Sequence, residues 1–217
     1  MRIRYLLLLL VCFVAFSSAA QIGAVIGKAG GTKERPVNKK KTSFSTEKLA
    51  FAITKDATSE KQKVRAIYNW ITANISYDNE LRLSAALQNE FYTSEEKVLQ
   101  KVLERKMALC GGFAFLFESL CKNVGIAAEV IHGFTKDYSG KIVNSKKPNH
   151  TWNAVKIDGQ WQLLDITWAI SYGNNKGTDD FWFFTKPSNF IYTHYPMEQK
   201  WTLLEQSISL SEFQKPL

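Results

Sequence analysis

The chain has 217 residues, enough for one domain with a real core. Hydrophobic residues make up 45% and charged residues 22%, ordinary globular proportions. The net charge of +8 is largely local: Lys28–Lys41 holds six Lys or Arg and one Glu, and Arg2 and Arg4 lie at the extreme N-terminus, so the basicity reads as a property of the tail and not as a nucleic-acid footprint, and no nucleic-acid partner is expected.

In chain order, residues 1–20 read as a signal peptide. Arg2 and Arg4 form the charged region, and Tyr5–Phe16 is an unbroken apolar run of 12 residues. Ser18 and Ala20 supply the small residues before a cut at Gln21. The run falls short of the roughly 20 apolar residues that span a bilayer, so no stable membrane span is expected after cleavage. The expected location is exported, periplasmic or secreted. Residues 21–42 are Gly- and Lys-rich and read as a flexible basic linker. Folded sequence then runs over residues 43–217.

Its first half is helical. Thr46–Thr54 is a short apolar-periodic segment. Ser59-x-x-Gln62 is a capping box that opens a helix to about Asn74, with Val64, Ile67, Tyr68 and Ile71 on one face. Thr93-x-x-Glu96 reads as a second capping box, opening a helix that ends near Lys106. Cys110-Gly111-Gly112 starts a buried helix that runs to Asn123, with Gly125 as its stop and the two glycines read as a sharp turn. The second half is strand-like: Ala127–Phe134, then Thr151–Ile157 and Gln160–Trp168 about the hairpin turn Asp158-Gly159. The tail from Phe181 reads as a wrap around the core. Helices followed by strands predict an α+β domain, with a helical layer on an antiparallel sheet.

If Cys12 leaves with the leader, only Cys110 and Cys121 remain. They lie 11 residues apart on one helix. That is about 16 Å along its axis, too far for a disulfide. An exported protein with free thiols invites a chemical explanation. Cys110 sits at a helix start, where the dipole and free N–H groups favour a thiolate; Cys121 reads as core. A nucleophilic thiol needs a base. Taking Asp158 and Gly159 as the hairpin loop, His150 falls opposite Thr167 and Trp152 opposite Asp165. His150 and Asp165 are then diagonal neighbours on one face, and the carboxylate can orient the imidazole. His132 and His194 lack such an argument and read as polar packing residues. The Cys and His spacings match no zinc pattern, and no phosphate loop is visible, so neither metal nor cofactor is expected.

Five blocks stand in order along the chain: Ala66–Ile71 with Ile75–Asp78, Cys110–Phe113, Asn149–Asn153, Leu164–Trp168 and Phe190–Pro196. Together they resemble the transglutaminase-like superfamily, whose fold is similar to that of papain-type proteases. The nearest branch is that of kyphoscoliosis peptidase and the cytokinesis-associated proteins. One departure is Ile166, where the family usually has Pro. The resemblance implies a papain-like core with a Cys-bearing central helix, and Cys110, His150 and Asp165 as nucleophile, base and orienter. The chemistry implied is acyl transfer from an amide through a thioester, by a peptidase, amidase or transglutaminase. The backbone N–H of Cys110 would hold the oxyanion, with Tyr77 or Trp70 as second donor and Trp152 beside the substrate. The expected partner is a protein or peptide substrate, cell-wall peptide included. The alternative is a catalytically silent domain that binds proteins through the same cleft.

Overall fold

The computed structural model describes residues 45–137, 139–142, 146–172 and 177–215. The leader (residues 1–20) and the whole of the linker (residues 21–42) therefore lie outside the described residues. Helix α1 (Thr46–Thr54) is capped by Ser45, and α2 (Glu60–Asn74) opens on the complete Ser59–Gln62 capping box. Val64, Ile67, Tyr68 and Ile71 are all buried on its inner face. A two-residue strand β1 (Ser76–Tyr77) leads into two short helices that the sequence did not suggest, α3 (Asn79–Leu83) and α4 (Ala85–Phe91). Helix α5 (Glu95–Arg105) is capped one residue later than the Thr93 box implied. The Ser94 hydroxyl accepts the Lys97 N–H at 3.2 Å. Thr and Ser are both good caps, so the sequence alone did not separate them.

Strand β2 (Met107–Ala108) pairs parallel with β1, placing Tyr77 beside Ala108. The chain then enters α6 (Cys110–Asn123), which contacts α1, α2 and α5 on one side and the sheet on the other. Gly111 and Gly112 lie within this helix and do not make a turn. They are small because their neighbours are close: a Cβ on Gly112 would meet Val102 at 2.9 Å, and one on Gly111 would meet the Tyr92 ring at 3.2 Å. Gly125, at φ +78°, takes the chain out of the helix.

The sheet comprises β3 (Ala128–Thr135), β4 (His150–Ile157), β5 (Gln160–Leu164), β6 (Phe183–Thr185) and β7 (His194–Pro196). It is antiparallel, in the order β6-β5-β4-β3-β7. The Asp158-Gly159 turn has both residues at positive φ, and Ile157 pairs with Gln160 as expected. The pairing ends at Leu164. Asp165 leaves the sheet and Ile166–Tyr172 form helix α7, where the sequence had suggested strand to Trp168. The aromatic tail is not merely a wrap, because it supplies both edge strands, β6 and β7. Short helices α8 (Pro187–Phe190) and α9 (Leu210–Phe213) flank β7. Phe113, Leu116, Phe117 and Leu120 of α6 join α2 and Ile131, Ala154 and Val155 of the sheet in one core. The fold is thus α+β, with a central helix against an antiparallel sheet. Among the described residues no helix is long and apolar enough to cross a membrane.

Candidate active site

Leu109 caps α6 without a side-chain hydrogen bond, so the first N–H groups of that helix need other partners. Cys110 is the first helical residue and is half-buried. The backbone of Gly111 favours charge on its sulfur, and the Tyr92 phenol stands beside Gly111 at the start of the helix. Tyr92 was not singled out from sequence. Its role depends on α4 lying over the start of α6, which no local pattern announces.

The Cys110 side chain is hydrogen-bonded to His150, the first residue of β4. Nε2 of His150 lies 2.5 Å from Oδ2 of Asp165. The other ring nitrogen, Nδ1, is therefore the one left for the thiol. The sequence argument placed Asp165 on a strand diagonal to His150. It stands instead at the N-terminus of α7, where its Oδ1 accepts the Trp168 N–H at 2.9 Å. Its own N–H donates to the Trp182 carbonyl at 3.0 Å.

His194, read as a packing residue, joins the same carboxylate: its Nε2 is 3.0 Å from Oδ2 of Asp165. It comes from β7, two strands away from β4, so only the tertiary fold brings it here. The sequence signal was its place in the Phe190–Pro196 motif. His132 is exposed and contacts Thr151 at 3.0 Å. His150, Asp165 and His194 present ligand-type atoms within 4.8 Å of one another. Both Nε2 atoms bond the same oxygen, however, so the arrangement is that of a hydrogen-bonded cluster.

The electrostatics follow from burial and pairing. Burial opposes ionisation of Cys110, but the hydrogen bond and positive charge of His150 outweigh it and hold the thiol below its usual range. Burial also disfavours charge on His150, yet Asp165 and the thiol push it up to about 10. For Asp165, burial is again overcome, by His150 first and then His194, and the carboxyl is held well below the usual range. Burial dominates at His194 and pushes it down to about 4. Cys121 is buried in the core, and desolvation pushes its thiol up. The two thiols differ in kind as the sequence suggested.

Tyr77 is half-buried, and its phenol is pushed up by burial and by the neighbouring Cys110 charge. Trp70 packs against the core, with the Lys106 ammonium 5.4 Å from its ring centroid. Trp152 is buried and stacks on His150 at 6.0 Å. Its indole N–H has no hydrogen-bond partner among the described residues.

Cys110 thus stands at a helix start beside an imidazole that a buried carboxylate holds. The model of the transglutaminase-like superfamily matches residues 47–166, more than half of the chain, and the chain belongs to that superfamily. Among its relatives, kyphoscoliosis peptidase of Mus musculus is 30% identical over 182 residues, covering 78% of this chain and 26% of that protein. Cytokinesis protein 3 of Saccharomyces cerevisiae is 27% identical over 144 residues, covering 62% of this chain and 16% of that protein. These relatives are of the branch its motifs resemble. The chain spans about a quarter or less of their length. A solved structure described as a TGase is 25% identical, covers 62% of this chain and 35% of that chain, and superposes with a TM-score of 0.42.

Proposed function

We propose that this protein is an exported cysteine acyl-transfer enzyme acting on an amide of a protein or peptide, cell-wall peptide included. The observation that supports this reading is the linked set Cys110–His150–Asp165, with His150 held at 2.5 Å by a buried carboxylate. Membership of a superfamily that includes cysteine peptidases and transglutaminases supports it further.

In this mechanism His150 takes the thiol proton and Cys110 attacks the carbonyl carbon, forming a tetrahedral oxyanion. The backbone N–H of Cys110 donates to that oxygen. Tyr77 or Trp70 is the second donor, and Tyr77 is favoured because its phenol stands near enough to the thiol to feel the Cys110 charge. Collapse breaks the C–N bond, and His150 returns the proton to the departing amine. The thioester then passes its acyl group to water or to a second amine, with His150 accepting the proton of the incoming nucleophile. Asp165 orients the imidazole and stabilises its charged form.

The test is labelling of the whole chain with a thiol-directed acylating probe, read by intact mass and peptide mapping. Cys110 should react selectively over Cys121, and His150→Ala should slow it sharply. Equal reactivity of the two thiols, with no effect of His150→Ala, would leave a binding module in place of an enzyme. Adding a labelled amine with a candidate peptide separates the outcomes: incorporation marks a transferase, and release of acid alone a hydrolase.

A further inference from the structure

Asp165 uses one oxygen for two imidazoles, and the acyl-transfer mechanism accounts for only one of them. His194 is fully buried. Its ring lies against Phe190 at 4.1 Å, Trp168 at 4.4 Å, Trp152 at 5.1 Å and Trp182 at 5.4 Å. It cannot reach an acyl group by leaving this box without dismantling the packing. Both of its nitrogens are engaged. Nε2 faces Asp165 at 3.0 Å and Nδ1 faces the Thr193 hydroxyl at 2.7 Å.

These contacts fix where the protons are. An ionised carboxylate only accepts, so Nε2 of His194 carries a hydrogen. Aromatic walls and the neighbouring charged His150 favour a neutral ring, so Nδ1 holds a lone pair. The Thr193 hydroxyl then donates to it. The direction of every bond follows: Thr193 O–H to His194 Nδ1, His194 Nε2–H to Asp165 Oδ2, and His150 Nε2–H to the same oxygen. Oδ1 is held separately by the Trp168 N–H. The carboxylate is pinned at both oxygens and cannot turn to follow or release His150.

We infer that His194 is a positioning residue, fixing Asp165 and through it the orientation in which His150 presents Nδ1 to Cys110. The inference rests on the acyl-transfer reading for its consequence, though not for its geometry. Without the second donor, Asp165 retains the helix-start bond but loses the constraint on Oδ2. The His150 imidazolium is then held less firmly, and the Cys110 thiolate that pairs with it is less favoured.

Cys110 alkylation by iodoacetamide, followed across pH in the full-length chain, tests this. His194→Leu should move the acid limb of the rate profile upward by about one unit, making labelling on that limb about tenfold slower. His194→Gln, which keeps a donor of similar reach, should restore the profile. Thr193→Val should shift it in the same direction by less, and this variant tests the idea if His194→Leu does not fold. A limb that stays in place, or moves down because an unshared carboxylate attracts His150 more strongly, overturns the inference. Imidazole nitrogen-15 spectra in a Cys110→Ala background need no nucleophile. There His194 should be the neutral Nε2–H form, and the protected His150 Nε2–H signal should weaken in His194→Leu. An unchanged His150 signal overturns the inference even if Cys110 proves inert; inertness of Cys110 in the wild type counts against the acyl-transfer reading alone.

Discussion

Asn153 on β4 donates its Nδ2 to the carbonyl of Ala114 on α6 at 3.1 Å. The strand that begins with His150 and the helix that begins with Cys110 are thereby joined by a side chain as well as by packing. The same nitrogen donates to the Glu129 carbonyl on β3, also at 3.1 Å. Both bonds are shielded, since Asn153 is buried. Asn153→Ala removes them and leaves a small void. The expected cost is about 2 kcal/mol of stability, measured by urea denaturation. Labelling of Cys110 should slow under conditions where the variant is still folded, because helix and strand lose a fixed register.

Arg105 and Asp78 form a second tie, on the approach to the thiol. Nη2 and Nε of Arg105 reach Oδ2 of Asp78 at 2.9 and 3.2 Å. The Asp78 side chain has no solvent exposure. Its Oδ1 caps α3 through the Leu81 N–H at 2.9 Å, and its backbone N–H donates to the Ala108 carbonyl at 2.9 Å. Arg105→Ala strands this carboxylate and should cost about 3 kcal/mol. Replacing both residues with a well-packed apolar pair should recover much of the loss. A double-mutant cycle in denaturant checks this; a single variant as stable as the wild type would show that the pair contributes nothing.

How much of this was legible depended on the range of the interaction. Ser59 and Gln62 cap each other across one turn, so the start of α2 was readable. Asp158-Gly159 fixes its hairpin locally, and the register followed as far as Leu164. Past that point the alternation of Leu164, Asp165, Ile166 and Thr167 resembles a buried strand. The chain turns into a helix because Asp165 accepts the Trp168 N–H, a cap that competes with the sheet ladder. The neighbourhood of His150 and Asp165 was thus anticipated through a strand that does not exist at that point. His194 was read as a packing residue and Tyr92 was not singled out, since each reaches the site through an element whose position only the packed fold determines.

Gly133 is a position where that packing leaves no freedom. A Cβ there would collide with the Trp152 ring, the Tyr195 carbonyl oxygen and the Pro196 Cα. Two of these three obstacles belong to the backbone of β7, which pairs with β3 at this residue. Backbone cannot swing aside as a flexible side chain can. Gly133→Ala should cost about 3 kcal/mol, with a loss of near-UV circular dichroism from the displaced Trp152. Because β7 also carries His194, Cys110 labelling should fall along with stability. Thermal melts that overlay those of the wild type would show that β7 can move away at little cost.

The buried histidines give the pH dependence a definite sign. His194 is pushed down to about 4, so between that value and the ordinary His value near 6.5 the unfolded chain binds a proton that the folded chain refuses. Stability must therefore rise with pH across this window and be lost on acidification, by an amount on the order of 3 kcal/mol. Asp165, held below the usual carboxylate range, contributes in the same direction at still lower pH. His150 has the opposite sign. Raised to about 10, it keeps in the folded state a proton that the unfolded chain releases above about 6.5. The stability from this histidine is present below that point and is lost as pH rises towards 10. Cys110 opposes it, because the folded thiol is held below its usual range and releases its proton at a lower pH than the unfolded thiol does. Between the acid arm and the alkaline arm the two oppose each other, so stability changes least there. Urea midpoints taken across pH should show this shape. His194→Gln should flatten the acid arm between about 4 and 6.5, since glutamine does not titrate there, while leaving the alkaline arm set by His150. An acid arm of undiminished slope in that variant would mean that His194 is not the buried neutral group its contacts describe.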